Sequence, residues 1–205
     1  MAVKLLGFSD LHNNVDFVKH IVEVSGRADV LIGAGDFGIE GSGAEAVLEV
    51  LSRAAVPTVI VSGNHDRVRF LSKLCAQWEN VHLLHGDAAT IAGVTFFGLG
   101  AETPRREQAS WSESLSEATA AALLATCPPR SVLVTHTPPF GYADWQADGT
   151  HEGSHAILDT INRCRPRLHL CGHIHHCWGV TARCGTTVVH NLGPRLNWFD
   201  LTPSG

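Results

Sequence analysis

Three short apolar runs, residues 3–8, 29–32 and 56–61, alternate with two segments of helical spacing, 15–24 and 44–53, in the first third of this chain. Between the first two runs, apolar side chains fall at Val15, Val18, Ile21 and Val22, one face of a helix. The third run is rich in β-branched residues, which suit a strand. The order strand–helix–strand–helix–strand calls for parallel strands joined by right-handed crossovers. In such sheets binding sites gather beyond the carboxyl ends of the strands. Each run here stops at a polar motif: Asp10-Leu11-His12, Gly33-Ala34-Gly35-Asp36 and Gly63-Asn64-His65-Asp66.

The spacing predicts a helix over residues 68–77 and short strands over 81–84, 89–91 and 94–99, joined by tight turns at Gly86-Asp87 and Gly93. A helix over 114–126 ends at Pro128-Pro129. A strand over 132–135 delivers His136, and a helix over 154–164 has Ser154 as its N-cap. A strand over 168–171 delivers Gly172-His173-Ile174-His175. Segments 178–183 and 186–190 read as a hairpin around Gly185, and 197–201 as an edge strand. Residues 101–113 and 137–153 read as surface loops. A parallel start followed by short antiparallel strands gives an α/β fold with a mixed sheet.

At 205 residues the chain is expected to form one domain, 1–205. Hydrophobic residues make up 44% and charged residues 17%, an ordinary balance for a globular protein. The net charge of −5 comes without a run of like charges, so no extended nucleic-acid track is expected. The six cysteines form no C-x-x-C pair and read as reduced thiols. With no run long enough to span a membrane and too short an apolar start for a signal peptide, the expected location is the cytoplasm. Nothing in the residues indicates an oligomeric state. Histidine is the outlier, at 13 residues.

Taken singly, the motifs have bland readings. Asp10 suits a helix N-cap, and Gly35-Asp36 is common turn chemistry. Asn64-His65-Asp66 is more specific, because a simple turn directly after Val59-Ile60-Val61 has no need of the histidine. In Gly172-His173-Ile174-His175, extended geometry would put both imidazoles on one side. Together, five motifs in order at strand ends offer two carboxylates, one amide and four imidazoles, plus one spare histidine.

This set resembles the calcineurin-like metallophosphoesterase superfamily, in particular its small uncapped predicted phosphoesterases, with Thr135-His136-Thr137-Pro138-Pro139-Phe140-Gly141 adding to the likeness. Asn13 stands where glycine is usual after Asp-x-His, and asparagine tolerates the left-handed backbone such a turn requires. The resemblance implies a four-layer αββα sandwich of two mixed β-sheets flanked by helices. It implies two divalent metal ions, Mn²⁺, Fe or Zn²⁺. Asp10, His12, Asp36 and His175 would hold one; Asp36, Asn64, His136 and His173 would hold the other. Mixed nitrogen and oxygen donors suit such metals better than Ca²⁺. Two such ions roughly 3.5–4 Å apart share a water and lower its pKa, giving a hydroxide that attacks phosphorus.

His65 is expected to stay off the metals and act as general acid or electrostatic stabiliser. Asp66 reads either as its orienting carboxylate or as an N-cap for the helix over 68–77. Arg195 is a candidate phosphate contact, with a plain surface arginine as the competing reading. Tyr142 and Trp145 are candidates for stacking on a nucleobase or aryl group, with a small satellite core as theirs. The expected activity is that of a phosphodiesterase on a small, nucleotide-like substrate. A phosphomonoesterase, a nuclease, or a non-catalytic metal-binding scaffold for a partner protein are the alternatives.

Overall fold

The computed structural model describes residues 2–106 and 109–202. Residues 107 and 108 of the first expected surface loop lie outside the described residues.

The chain runs β1 (Val3–Phe8), α1 (Val15–Ser25), β2 (Val30–Ala34), α2 (Ala44–Leu51), β3 (Thr58–Val61), α3 (Val68–Cys75), β4 (Val81–Leu83), β5 (Asp87–Ile91), β6 (Val94–Leu99), α4 (Glu117–Leu124), β7 (Val132–Thr135), α5 (His155–Cys164), β8 (Leu168–Cys171), a 3₁₀ turn (His175–Cys177), β9 (Thr181–Cys184), β10 (Thr187–Asn191) and β11 (Asn197–Leu201). β3 begins one residue after Pro57, which has no N–H to give to the ladder. Helix α1 is capped by Asn14, whose side chain accepts from the Phe17 N–H, and α5 by Ser154, which accepts from the Ile157 N–H.

Two sheets form. The first has the order β11-β1-β2-β3-β4, all parallel except the edge strand β11, which runs antiparallel to β1. The second has the order β5-β6-β7-β8-β10-β9, with a parallel centre, β6 to β10, and antiparallel edges. Alternating side chains build three apolar layers. Leu5, Ile32, Val61, Phe96, Val134 and Leu170 meet between the sheets. Leu6, Phe8 and Ile60 face α1, α2 and α3 on one outer side. Phe97, Leu133 and Val189 face α4 and α5 on the other. This is the four-layer αββα sandwich.

One expectation needs correction. The short strands over 81–84, 89–91 and 94–99 are not antiparallel throughout. β4 pairs parallel with β3 in the first sheet, and the turn at Gly86 carries the chain into the second, where β5 pairs antiparallel with β6. β6 is therefore the first strand of a parallel block, and its carboxyl end, at Leu99, faces the same way as those of β7 and β8. None of the described helices is long and apolar enough to cross a membrane. All six cysteines are free thiols.

Candidate metal centre

The carboxyl ends of β1, β2, β3, β7 and β8 converge on one rim of the sandwich. The turns that leave them are held in unusual backbone geometry. Asp10, His12, Asp36 and His173 all have positive φ, at 54°, 43°, 57° and 69°. Such geometry costs of order 1 kcal/mol or more per residue for side chains of this kind. Four such residues side by side mark a site rather than a routine connection. Asn13 also has positive φ, 64°, in keeping with its place in a left-handed turn.

Asp36 is the hub. It is buried, and its Oδ1 accepts the His65 N–H at 2.9 Å. That leaves Oδ2 facing three imidazoles: His136 Nε2 at 3.3 Å, His12 Nε2 at 3.8 Å and His65 Nε2 at 4.0 Å. Asp10, equally buried, accepts from the Ser9 hydroxyl and from the His173 N–H at 3.0 Å. His175 Nε2 lies 3.9 Å from Asp10 Oδ1 and 3.3 Å from His12 Nε2. Asn64 Oδ1 is 3.0 Å from His136 Nε2, and the His136 and His173 rings are 4.9 Å apart. Three groups here have donor atoms close enough to share an ion: Asp10 with His12 and His175, His12 with Asp36 and His65, and Asp10 with Asp36 and His136.

Hydrogen bonding at the far ring nitrogen separates the histidines. His136 Nδ1 lies 2.8 Å from the Ala34 carbonyl oxygen. A carbonyl can only accept, so Nδ1 carries a proton, and Nε2 is the nitrogen whose lone pair a cation could take, the arrangement typical of a metal ligand. His65 is held the opposite way. Its Nδ1 accepts the Glu40 N–H at 2.9 Å, so in the neutral ring the proton sits on Nε2. In that tautomer Nε2 is the hydrogen-bond donor of the ring. Burial, outweighing the nearby Asp36 carboxylate, also lowers the His65 pKa.

The donor set fits divalent cations. Two imidazole nitrogens 3.3 Å apart, His12 and His175, sit beside buried carboxylates, and a cation between such groups satisfies all of them. Without metal, positive charge is still drawn in. Burial would push His136 down, but Asp36 and Asp10 outweigh it and raise its pKa to about 10. Burial would likewise raise Asp36, yet His136, His65 and His12 hold it below the ordinary carboxylate range.

The calcineurin-like phosphoesterase superfamily domain matches residues 3–201. The chain belongs to that superfamily. The phosphoesterase domain is 31% identical to the Caenorhabditis elegans UPF0046 protein K07C11.7, over 92% of this chain and 69% of that protein. Among solved structures, TT1561 of Thermus thermophilus aligns with a TM-score of 0.76 at 17% identity, covering 98% of this chain and 99% of that one. A dimetal phosphatase from Danio rerio aligns with a TM-score of 0.66 at 13% identity, covering 94% and 88%. These structural likenesses show a shared fold.

All seven residues expected to bind metal, and His65, meet at the rim of the phosphoesterase domain. The histidines of the fifth motif arrive by a different route from the one expected. β8 stops at Cys171, His173 takes a left-handed turn and His175 opens the 3₁₀ turn. Asn191 holds this loop, its amide donating to the Gly172 and Ile174 carbonyls.

Asp66 is neither an orienter of His65 nor an N-cap. Its buried carboxylate accepts the Phe37, Gly38 and Gly63 N–H groups and so ties the second motif to the third. The N-cap of α3 is Arg67, with no side-chain capping bond. Tyr142 and Trp145 pack on the outer core over α5. Arg195 is exposed, its guanidinium against Gly179.

Two side chains at the site went unremarked in the sequence. Glu102 is buried just past β6, its Oε1 3.6 Å from His173 Nε2. Trp111 stacks on the His65 ring with centroids 4.6 Å apart and planes 17° apart. Both lie in the segment read as a surface loop. The signal for Glu102 was its place after a strand end, hidden by the antiparallel reading of β6. A cleft of about 350 Å³ opens over the centre, lined by Asn64, His65, Glu102, Arg106, Gln146 and His173 among others.

Proposed function

We propose that this chain is a dinuclear metal-dependent phosphoesterase that cleaves a small, nucleotide-like phosphodiester. The observation that carries the reading is the opposed wiring of His136 and His65 around one carboxylate oxygen, Asp36 Oδ2. One ring is set to ligate and the other to donate, the division of labour a phosphoryl-transfer site needs. Asp10, His12, Asp36 and His175 would hold one ion, and Asp36, Asn64, His136 and His173 the other. Mn²⁺, Fe and Zn²⁺ all suit this donor set. When bound, such a pair supplies acidification of water and neutralisation of phosphoryl charge.

The chain's own residues do the rest. Asp36 keeps Oδ2 aimed at the centre because Oδ1 is occupied by the His65 N–H. The Nε2–H of His65 donates to a phosphoryl or leaving oxygen. Because Nδ1 already accepts a backbone N–H, the ring acts as a neutral donor and electrostatic stabiliser rather than an imidazolium acid. Trp111 holds the ring plane by stacking. Gln146 and Glu152, from the loop 137–153, line the cleft, Gln146 donating to Glu152 and Glu152 pairing with Arg106. An open cleft suits a diester with groups on both sides of phosphorus. A monoesterase is the competing reading, in line with the name of the Danio rerio neighbour.

The test uses metal-stripped protein and bis-p-nitrophenyl phosphate. Hydrolysis is expected only after Mn²⁺ or a similar ion is restored. His65→Asn is expected to lower kcat by roughly 10²–10³ with metal content unchanged, the usual effect of losing one donor to developing charge. A wild-type protein inert with every divalent ion would favour the non-catalytic scaffold. A His65→Asn protein that loses a metal would return His65 to the ligands.

A further inference from the structure

Beside the metal cleft lies a second, larger groove of about 810 Å³, and Trp111 lines both. This volume is in the range of small-ligand sites. Its cationic wall runs along α3, where Arg67 at the N-cap, Arg69 in the first turn and Lys73 in the last turn all border the groove. Arg69 and Lys73 are four residues apart and so share a helix face, where like charges repel and weaken the helix. Among the described residues no carboxylate forms an ion pair with any of the three. Arg67 only donates to the Ser110 carbonyl, at 3.3 Å. Glu45 and Glu113 also border the groove, so among the described lining residues the cations outnumber the carboxylates by three to two, in a chain whose net charge is −5.

The groove is joined to the chemistry by its backbone. Gly41 lines it with φ 78°, and its N–H donates to the His65 carbonyl at 3.0 Å. A Cβ at Gly41 would stand 3.6 Å from both the Arg67 Nε and the Trp111 Cβ. Phe70 adds a second aromatic ring to the lining. Unpaired cations beside aromatic rings are the chemistry that holds an anionic group attached to a ring.

We infer that this groove is a subsite for a second anionic group of the substrate, a phosphate carried on a nucleoside-like arm that passes Trp111 on its way from the scissile phosphate. The inference rests on the proposed esterase for the identity of the first phosphate. It narrows the substrate class to nucleotide esters that bear a further phosphate remote from the bond cut.

The test compares two chromogenic diesters, the p-nitrophenyl ester of thymidine 5′-phosphate and the same ester with an added 3′-phosphate. In wild type the 3′-phosphate is expected to raise kcat/KM at least tenfold. In Arg69→Glu/Lys73→Glu the ratio of the two substrates is expected to fall to about one, with Arg69→Gln/Lys73→Gln intermediate. A wild-type ratio near one, or a preference that survives charge reversal, overturns the subsite. If neither ester is cleaved with any divalent ion, the esterase reading fails and calorimetry decides the subsite. Metal-free wild type should bind thymidine 3′,5′-bisphosphate at least tenfold more tightly than the charge-reversed protein does, and equal binding refutes the subsite.

Discussion

His65 and His136 face the same oxygen of Asp36, yet the atom behind each ring gives them opposite characters. Ala34 presents a carbonyl to His136, and Glu40 presents an N–H to His65. The residue types at these places were legible in the sequence, because no turn needs Asn64-His65 after a buried strand. The wiring was not, since the group that sets the His65 tautomer is a backbone N–H 25 residues upstream. Side-chain identity at position 40 has no part in that bond, so no motif could carry it. The tautomer is directly observable. In metal-free protein, nitrogen-15 NMR of the histidine rings is expected to show His65 with an unprotonated Nδ1 and a proton on Nε2. A proton on Nδ1 would remove the basis for calling His65 a donor.

Between elements, pairing is where local pattern stopped being informative. β1 to β3 were readable because each strand is followed by a helix that returns the chain parallel. β4, β5 and β6 follow one another through tight turns, a pattern equally suited to one sheet or two. What divides them is a partner far along the chain: β7 supplies the parallel neighbour that claims β6. A polar side-chain bond inside that parallel block joins His169 on β8 to Thr135 on β7, Nε2 to Oγ1 at 2.8 Å.

His169 is buried and lacks a partner at Nδ1, and burial lowers its pKa to about 3. The unfolded chain binds this proton near the ordinary histidine value of about 6.5, so between those values the unfolded state holds more protons than the folded one. Stability from this group is therefore full above pH 6.5 and is lost as pH falls toward 3. The loss amounts to about 2 kcal/mol between pH 7.5 and 5. Urea unfolding of chelator-treated protein at those two pH values should show that His169→Gln, whatever its own cost at pH 7.5, loses less stability on acidification than wild type does. Identical pH dependence in the two proteins would show that His169 takes up its proton without opening the fold.

At the scale of the molecule, the centre is a seam. Asp10, His12, Asp36, Asn64 and His65 follow strands of the first sheet, and Glu102, His136, His173 and His175 follow strands of the second. In the interior the sheets meet through apolar contacts such as Leu5, Ile32, Phe96 and Leu170, which have no directional preference. Ions bound by donors from both sheets would cross-link the two halves of the sandwich at its rim, so their binding free energy enters the stability of the whole fold. Because a cation binding only the folded state stabilises it by RT ln(1 + [L]/Kd), a free metal concentration 1,000 times Kd would add about 4 kcal/mol. For a chain of this length that corresponds to a rise in Tm of roughly 8–16 °C. Thermal unfolding of wild type with Mn²⁺ is accordingly expected to occur well above that with chelator, in one transition monitored by both tryptophan fluorescence and far-ultraviolet circular dichroism. Asp36→Asn, which removes the carboxylate assigned to both ions, should abolish most of the metal-dependent shift. Asn64→Ala touches one assigned ion and should retain part of it. A full metal-dependent shift in Asp36→Asn would show that the stabilising ions bind elsewhere, and the assignment of Asp36 between the two sites would fall.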